Sequence, residues 1–200
     1  MPPIWFYDLM YRWHAPWEMG ARSELVALVG TGCLTPERLA PGRAVDLGCG
    51  AGANAVFLAQ AGFDVVGVDF SPVALGKARR ASLAAGVSER VRLVGADLTA
   101  HRLPDVEGPF DLLVDYGTLD DLAPTDRRAM ASTIIRLARP GSTFVLYELR
   151  QRMALHYLSG EKVSVNETAY LVGFSDPAAF SRTFKRWTGT SPRGVRTSTP

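Results

Sequence analysis

The chain has 200 residues, 47% of them hydrophobic, with 22 Lys and Arg against 20 Asp and Glu for a net charge of +2. That is apolar mass for one sizeable core and a small appendix, and no global charge excess points to nucleic acid or membrane. The charge is uneven: from Gln151 onward seven basic residues stand against three acidic ones, and the first 150 residues are net negative, which suggests two modules with different partners.

The start, MPPIWFYDLMYRWH, is aromatic but broken by Asp8 and Arg12, so it reads as no secretory signal. No apolar run approaches the roughly 20 residues of a membrane span. Cys33 and Cys49 have neither metal-ligand nor disulfide spacing, which fits a reducing, cytoplasmic setting with no metal.

In chain order, residues 4–17 carry Trp5, Phe6, Tyr7, Tyr11, Trp13 and Trp17 at a spacing that predicts one or two short helices. Residues 23–29 read as another helix, ended by Gly30 and Gly32, so that 1–30 form a helical cap. Residues 43–47 are a β-rich run ending in a glycine cluster. Then come a helix over 53–61, a strand over 64–70, and a helix over 72–85 with Ser71 as its cap, Pro72 at its first position and Gly86 at its close. Strands are expected over 91–98 and 110–116, a helix over 124–138 ended by Pro140 and Gly141, and a strand over 143–149. This alternation, with near-continuous apolar strands, means a parallel sheet with helices on both faces. From residue 151 the signals are helical only. The expected organisation is an α/β domain over 1–150 and a small all-α tail over 151–200.

The segment VDLGCGAG, residues 45–52, sits where the first strand turns into a helix. Its glycines allow a tight turn and a close ligand approach, and the following helix presents free N–H groups. Gly48-x-Gly50-x-x-Ala53 alone also satisfies a dinucleotide fingerprint. Two carboxylates narrow the choice. Asp69 ends the second strand 21 positions after Gly48, where an acid can accept from both ribose hydroxyls. Asp46 precedes the first glycine, where an acid suits a cationic amine and repels a pyrophosphate. Asp97, at the end of the third strand, can reach an adenine amino group. A single acid in such a place is as often a helix cap.

VDLGCGAG, GVDFS, GADL, FDLLVDYGTLDDL and the RPG turn together resemble the class I S-adenosylmethionine-dependent methyltransferases over about residues 1–150. The resemblance implies a Rossmann-like fold, S-adenosylmethionine as cofactor, and cofactor contacts at Asp46, Gly48, Cys49, Gly50, Gly52, Asp69, Phe70, Asp97 and Leu98. Ser71 and Asp115 are weaker cofactor contacts, and Asp115 and Tyr116 are the catalytic candidates. The aromatic start with Pro16-Trp17-Glu18 looks like the small-molecule, thiopurine- and tellurite-type group. Asp115-Tyr116-Gly117-Thr118 stands where enzymes acting on nucleobase amines carry Asn-Pro-Pro-Tyr, so DNA methylation is not expected. Asp120, Asp121, His14 and His101 are further candidate bases, although methyl transfer from a sulfonium needs alignment more than a base. The N-terminal aromatics either close over the cofactor or simply pack on the sheet.

Family members continue past the fifth strand with a helix and two more strands, which are missing here. Instead, residues 163–171 read as one helix, 173–176 (GFSD) as a turn and 177–187 as a second helix, capped by Asp176 with Pro177 at its first position. Ala169, the GFSD turn, Phe180-Ser181-Arg182, Phe184-Lys185-Arg186, Gly189, Ser191-Pro192 and Arg196 resemble the C-terminal half of the AraC-family DNA-binding domain. Only the second of that family's two helix-turn-helix units is present, with part of the connecting helix over 152–158, and Val195 departs from the usual aromatic. Ser181 and Arg182 are expected at base edges, Lys185 and Arg186 at phosphates, and Phe180, Phe184 and Leu171 in the tail's core.

The function expected is methyl transfer from S-adenosylmethionine to a small-molecule acceptor, with a C-terminal segment that contacts DNA and no membrane partner. The alternative is a DNA-binding regulator whose methyltransferase-like part only binds ligand or is vestigial. For the tail, the alternative is a helical cap over the unfinished sheet edge.

Overall fold

The apolar runs become five strands: β1 (Arg43–Leu47), β2 (Asp64–Asp69), β3 (Val91–Gly95), β4 (Phe110–Asp115) and β5 (Ala138–Leu146). In the computed structural model, which describes residues 3–13, 15, 18, 20–146, 149–160, 163–172, 174 and 176–197, they form one sheet of order β3-β2-β1-β4-β5, parallel throughout. Contacts divide the chain after Leu146 into two units, Met1–Leu146 and Tyr147–Pro200. No described helix is long and apolar enough to cross a membrane.

Period-two alternation along the strands builds two apolar layers. On one face Val45, Leu47, Val66, Val68 and Leu113 pack with Met130, Ile134 and Leu137, which lie on a helix over Pro124–Leu137. On the other, Ala44, Val65, Leu112 and Val114 pack with Leu25, Ala55 and Leu58, from helices over Ser23–Gly30 and Ala53–Gln60, and with Phe63 in the connection to β2. In chain order the helices of this unit are α1 (Ile4–Trp13), α2 (Ser23–Gly30), α3 (Ala53–Gln60), α4 (Pro72–Ala84), α5 (Thr118–Asp121) and α6 (Pro124–Leu137). Winding reverses between β1 and β4, the topological switch point at which open α/β sheets bind ligands.

At the N-terminal ends of the strands Asp111 forms a clasp. Its Oδ2 accepts from the backbone N–H of Gly42 (3.1 Å) and Arg43 (2.9 Å), and its Oδ1 pairs with Arg139. The Arg43 guanidinium donates to Pro109 O (2.9 Å) and Glu107 O (2.8 Å) and lies over the Phe110 ring. β1, β4 and β5 are thereby tied together where they begin.

Several boundaries differ from the sequence expectation. Pro140 and Gly141 do not terminate α6; β5 starts at Ala138 and runs through them. Pairing skips from Phe110↔Ala138 to Leu112↔Thr143, and Ser142 Oγ donates to Phe110 O (2.6 Å) while accepting from Arg139 N (2.9 Å). A proline is tolerated there because no described strand pairs beyond β5. β3 stops at Gly95 rather than 98; β5 is described to Leu146, residues 147 and 148 lie outside the described residues, and Leu149 already belongs to a helix. No strand follows β5 among the described residues.

The second unit holds α7 (Leu149–Gly160), α8 (Val165–Leu171), α9 (Pro177–Thr188) and α10 (Pro192–Thr197). Ala154, Leu158, Ala169, Val172, Phe180 and Phe184 form its core, with the Phe174 ring edge-on to Phe180 at 5.5 Å. Ser164 and Glu167 close a capping box that starts α8 two residues later than expected. Asp176 accepts from the N–H groups of Ala178 and Ala179, both at 2.9 Å, and starts α9. Leu171 corrects the expected core: it is 53% exposed, because Ala169 and Val172 take the inward face of α8 and position 171 falls off it.

Phe180 is the central ring of this small core. Phe180→Ala is expected to cost about 3–5 kcal/mol and to open the tail. Amide exchange of the full chain checks this: α8 and α9 should lose protection while β1 and β4 keep theirs.

Candidate functional site

β1 ends at Leu47 and the backbone turns into α3 through residues 48–52. The amides of Gly48 and Cys49 both donate to Val68 O, at 2.8 and 2.9 Å, which pins the loop to β2. Gly48 has φ +79°, and a Cβ there would meet Thr118 Oγ1 at 1.8 Å; Thr118 donates to Leu47 O at 3.2 Å. Gly50 has φ +53°, and a Cβ there would lie 2.6 Å from the Tyr11 hydroxyl. Gly52 is the N-cap of α3. The Cys49 thiol is buried beside Gly67 and donates to Gly50 O (3.9 Å); burial, then Asp46 and Asp69, push its pKa up, so at neutral pH it is a packed thiol.

Three carboxylates gather at the strand ends above this loop. Asp69 (5% exposed) accepts from Gly50 N (2.9 Å) on one oxygen and Ser71 N (2.8 Å) on the other. Burial raises its pKa, and these backbone donors pull it back down. Asp115 accepts from Gly117 N (3.1 Å), Thr118 N (2.8 Å) and Leu119 N (2.9 Å), and burial lifts it to about 6. It thus caps α5, the short helix the sequence reading missed.

Asp46 is different. It is 1% exposed, and its Oδ2 has no hydrogen-bond partner among the described residues. Burial first, then the charges of Asp115 and Asp69, raise its pKa to about 7, against the Ala55 N–H in the first turn of α3 and the Arg22 charge.

The remaining candidates scatter. Asp97 is exposed and accepts from Thr99 N (2.8 Å) and Thr99 Oγ1 (2.6 Å), while Leu98 is buried in the α6-side core. Phe70 meets Tyr7 edge-on, with centroids 5.1 Å apart. Ser71 caps α4 by accepting from Ala74 N (3.1 Å). Tyr116 packs on the α3 side of the sheet. His101 is exposed; His14, Pro16 and Trp17 lie outside the described residues. Sequence reasoning left out Asp8, Tyr11, Arg22 and Thr118. Their partners lie up to 71 positions away, and only the aromatic density of α1 hinted at a cover.

The methyltransferase-domain family matches residues 44–141, the stretch from β1 into β5. This stretch is a methyltransferase domain. A helix-turn-helix domain of the AraC type matches residues 140–198. An uncharacterised methyltransferase of Synechocystis is 37% identical over 114 residues, 56% of this chain and 50% of its own length. An ornithine utilization regulator of Pseudomonas aeruginosa is 34% identical over 84 residues, 41% of this chain and 25% of its own. A glycopeptide N-methyltransferase solved with S-adenosylmethionine superposes with a TM-score of 0.52 at 23% identity, over 64% of this chain and 49% of that one, and shares the fold. The chain spans half or less of the length of these proteins. The methyltransferase domain places its glycine loop, Asp46 and Asp69 together; Asp97 stands apart, on the exposed turn beyond β3.

Asp46 has a pH consequence. A carboxyl near 3.8 in the unfolded chain and about 7 in the fold binds its proton more tightly when folded. Its stabilising contribution is therefore present below about pH 4 and lost as pH rises through 7. Without ligand, the melting temperature should fall between pH 5 and pH 8, and Asp46→Asn should flatten most of that slope; scanning calorimetry at both pH values checks it.

Proposed function

We propose that the methyltransferase domain binds S-adenosylmethionine and transfers its methyl group to a small-molecule acceptor, and that the C-terminal module contacts DNA. The observation that carries the first part is the buried, unpartnered Oδ2 of Asp46 beside the glycine loop, in the field of Asp69 and Asp115. Negative charge at that depth, with one acceptor oxygen lacking a hydrogen bond, calls for a cation, and it disfavours a phosphate. S-adenosylmethionine has an ammonium, a sulfonium and no phosphate, so the residues fit it.

Asp46 would take the amine, the amides around Gly48 and Gly50 would line the methionyl part, and Asp69 would accept from the ribose hydroxyls. Phe70 and Asp97 would flank the adenine. When bound, the cofactor supplies an already activated methyl on its sulfonium. The chain's task is then to hold the acceptor atom in line and to exclude water. Asp115 is committed to three backbone donors and helps by its charge rather than as a base.

Titration calorimetry with S-adenosylmethionine and S-adenosylhomocysteine tests this reading. Both should bind, more tightly at pH 8 than at pH 6 by about tenfold as Asp46 ionises, and Asp69→Ala should weaken both by about tenfold or more. Absence of binding by either compound at millimolar concentration would overturn the proposal. Unchanged affinity in a folded Asp69→Ala would overturn the ribose assignment.

For the tail, the supporting observation is one exposed face of α9. Ala178, Arg182, Lys185 and Arg186 stand on it while Phe180 and Phe184 are buried on the other. Ser181 Oγ donates to Pro177 O (2.9 Å), and the Arg182 guanidinium stays 3.8 Å from Asp176, exposed enough to exchange that weak pair for DNA. Duplex binding by the full chain should fall steeply between about 50 and 200 mM salt. Arg182→Ala should cost about 1–3 kcal/mol at a preferred site, whereas Lys185→Ala should weaken all sequences alike. If neither substitution changes low-salt binding to any duplex, α9 is not the reading helix, and a capping role for the tail becomes the better account. Activity with loss of DNA binding would favour the enzyme as the working part; binding of both ligands without turnover would favour a ligand-sensing regulator.

A further inference from the structure

The glycine loop and strand ends leave α1 unassigned, yet α1 carries three side chains onto the same site. The Tyr11 hydroxyl stands over Gly50, and Tyr7 meets Phe70 edge-on. Asp8 Oδ1 accepts from Ser71 Oγ at 2.5 Å across 63 positions of sequence. Ser71 is the N-cap of α4, and its own backbone N–H is held by Asp69. One hydrogen bond therefore joins α1 to the group beside the ribose acid. Further along, Lys77 of α4 grips Glu18 through both carboxylate oxygens, at 2.7 and 2.8 Å.

An acid at position 8 is not needed for packing. Tyr7, Met10 and Tyr11 already seat α1 on Ala51, Val73 and Ala74. Asp8 also brings negative charge toward Asp69, which is unfavourable unless a donor offsets it. The Ser71 hydroxyl is that donor, and Asp8 is placed to receive it.

We propose that Asp8 is a positioning residue which, through Ser71 Oγ, latches α1 over the glycine loop, so that α1 forms the closing wall of the cofactor site and this hydrogen bond sets the rate of cofactor release. The proposal rests on the cofactor reading above. Because α1 must lift for exchange, the latch governs entry and departure together, and its loss speeds both more than it changes affinity.

Two measurements on the full chain test it. In the ligand-free protein, Asp8→Ala should quicken amide exchange in residues 4–13 by about tenfold, the worth of one hydrogen bond, with β1 and β4 unchanged. Asp8→Asn keeps a carbonyl acceptor and should stay close to the parent. Ser71→Ala also removes the α4 cap, so the double variant is decisive: Asp8→Ala should add nothing to it. In a chase experiment, S-adenosylhomocysteine should leave Asp8→Ala about tenfold faster than the parent, with Asp8→Asn again near the parent. Unchanged α1 exchange in Asp8→Ala, additive effects in the double variant, or unchanged release from a parent that binds would each overturn the latch. A parent that binds no S-adenosylhomocysteine would instead overturn the cofactor reading, and the wall with it, while the exchange data would still decide the Asp8–Ser71 coupling.

Discussion

Burying Asp46 without a full set of partners is costly, and the groups around it act to offset that cost. A carboxylate at 1% exposure forfeits its hydration, and two more acids within reach add repulsion. The fold answers with helix N-termini. Asp46 faces the first turn of α3, Asp69 accepts from the amide of the residue that caps α4, and Asp115 accepts from the amides that open α5. β1, β2 and β4 each deliver an acid to the positive end of the helix that follows. The same arrangement explains the ranking among them. Asp69 and Asp115 have backbone donors on both oxygens, whereas Asp46 keeps one oxygen in reserve.

That reserve divides the labour within the site. The other two acids fix backbone: Asp69 holds the glycine loop and the start of α4, and Asp115 shapes the turn that brings Thr118 against Gly48. Each Asp69 oxygen already holds one backbone amide and keeps a second lone pair for a ribose hydroxyl. Asp46 is held still by its strand, and its Oδ2 has no hydrogen-bond partner among the described residues. Substrate choice, by contrast, has no such fixed marker among the described residues.

Most of the sheet was legible in the sequence because buried parallel strands are continuous apolar runs, and β1, β2 and β4 begin where the runs begin. β5 was displaced because Pro140 and Gly141 read as a helix stop, whereas here they sit in a bulge held by Ser142. α5 was invisible because its four residues owe their helicity to a cap three positions upstream. In the tail, Asp176-Pro177 announced α9, but Leu171 read as a core residue, whereas Ala169 and Val172 take the inward side. In the site, the spacing of Asp46, the glycines and Asp69 was readable. The empty oxygen of Asp46 and the reach of Asp8 were not, since both depend on contacts between segments far apart in the chain.

The clasp of Asp111 with Arg43 and Arg139 carries a consequence at the opposite pole. It anchors β1, β4 and β5 where they begin, by groups that take no part in ligand chemistry. The sheet is thus secured at this pole by contacts separate from those that shape the loops at the other. Such a division makes the domain tolerant of change: insertions and substitutions in the loops beyond the strand ends can alter what is recognised without dissolving the scaffold that presents them.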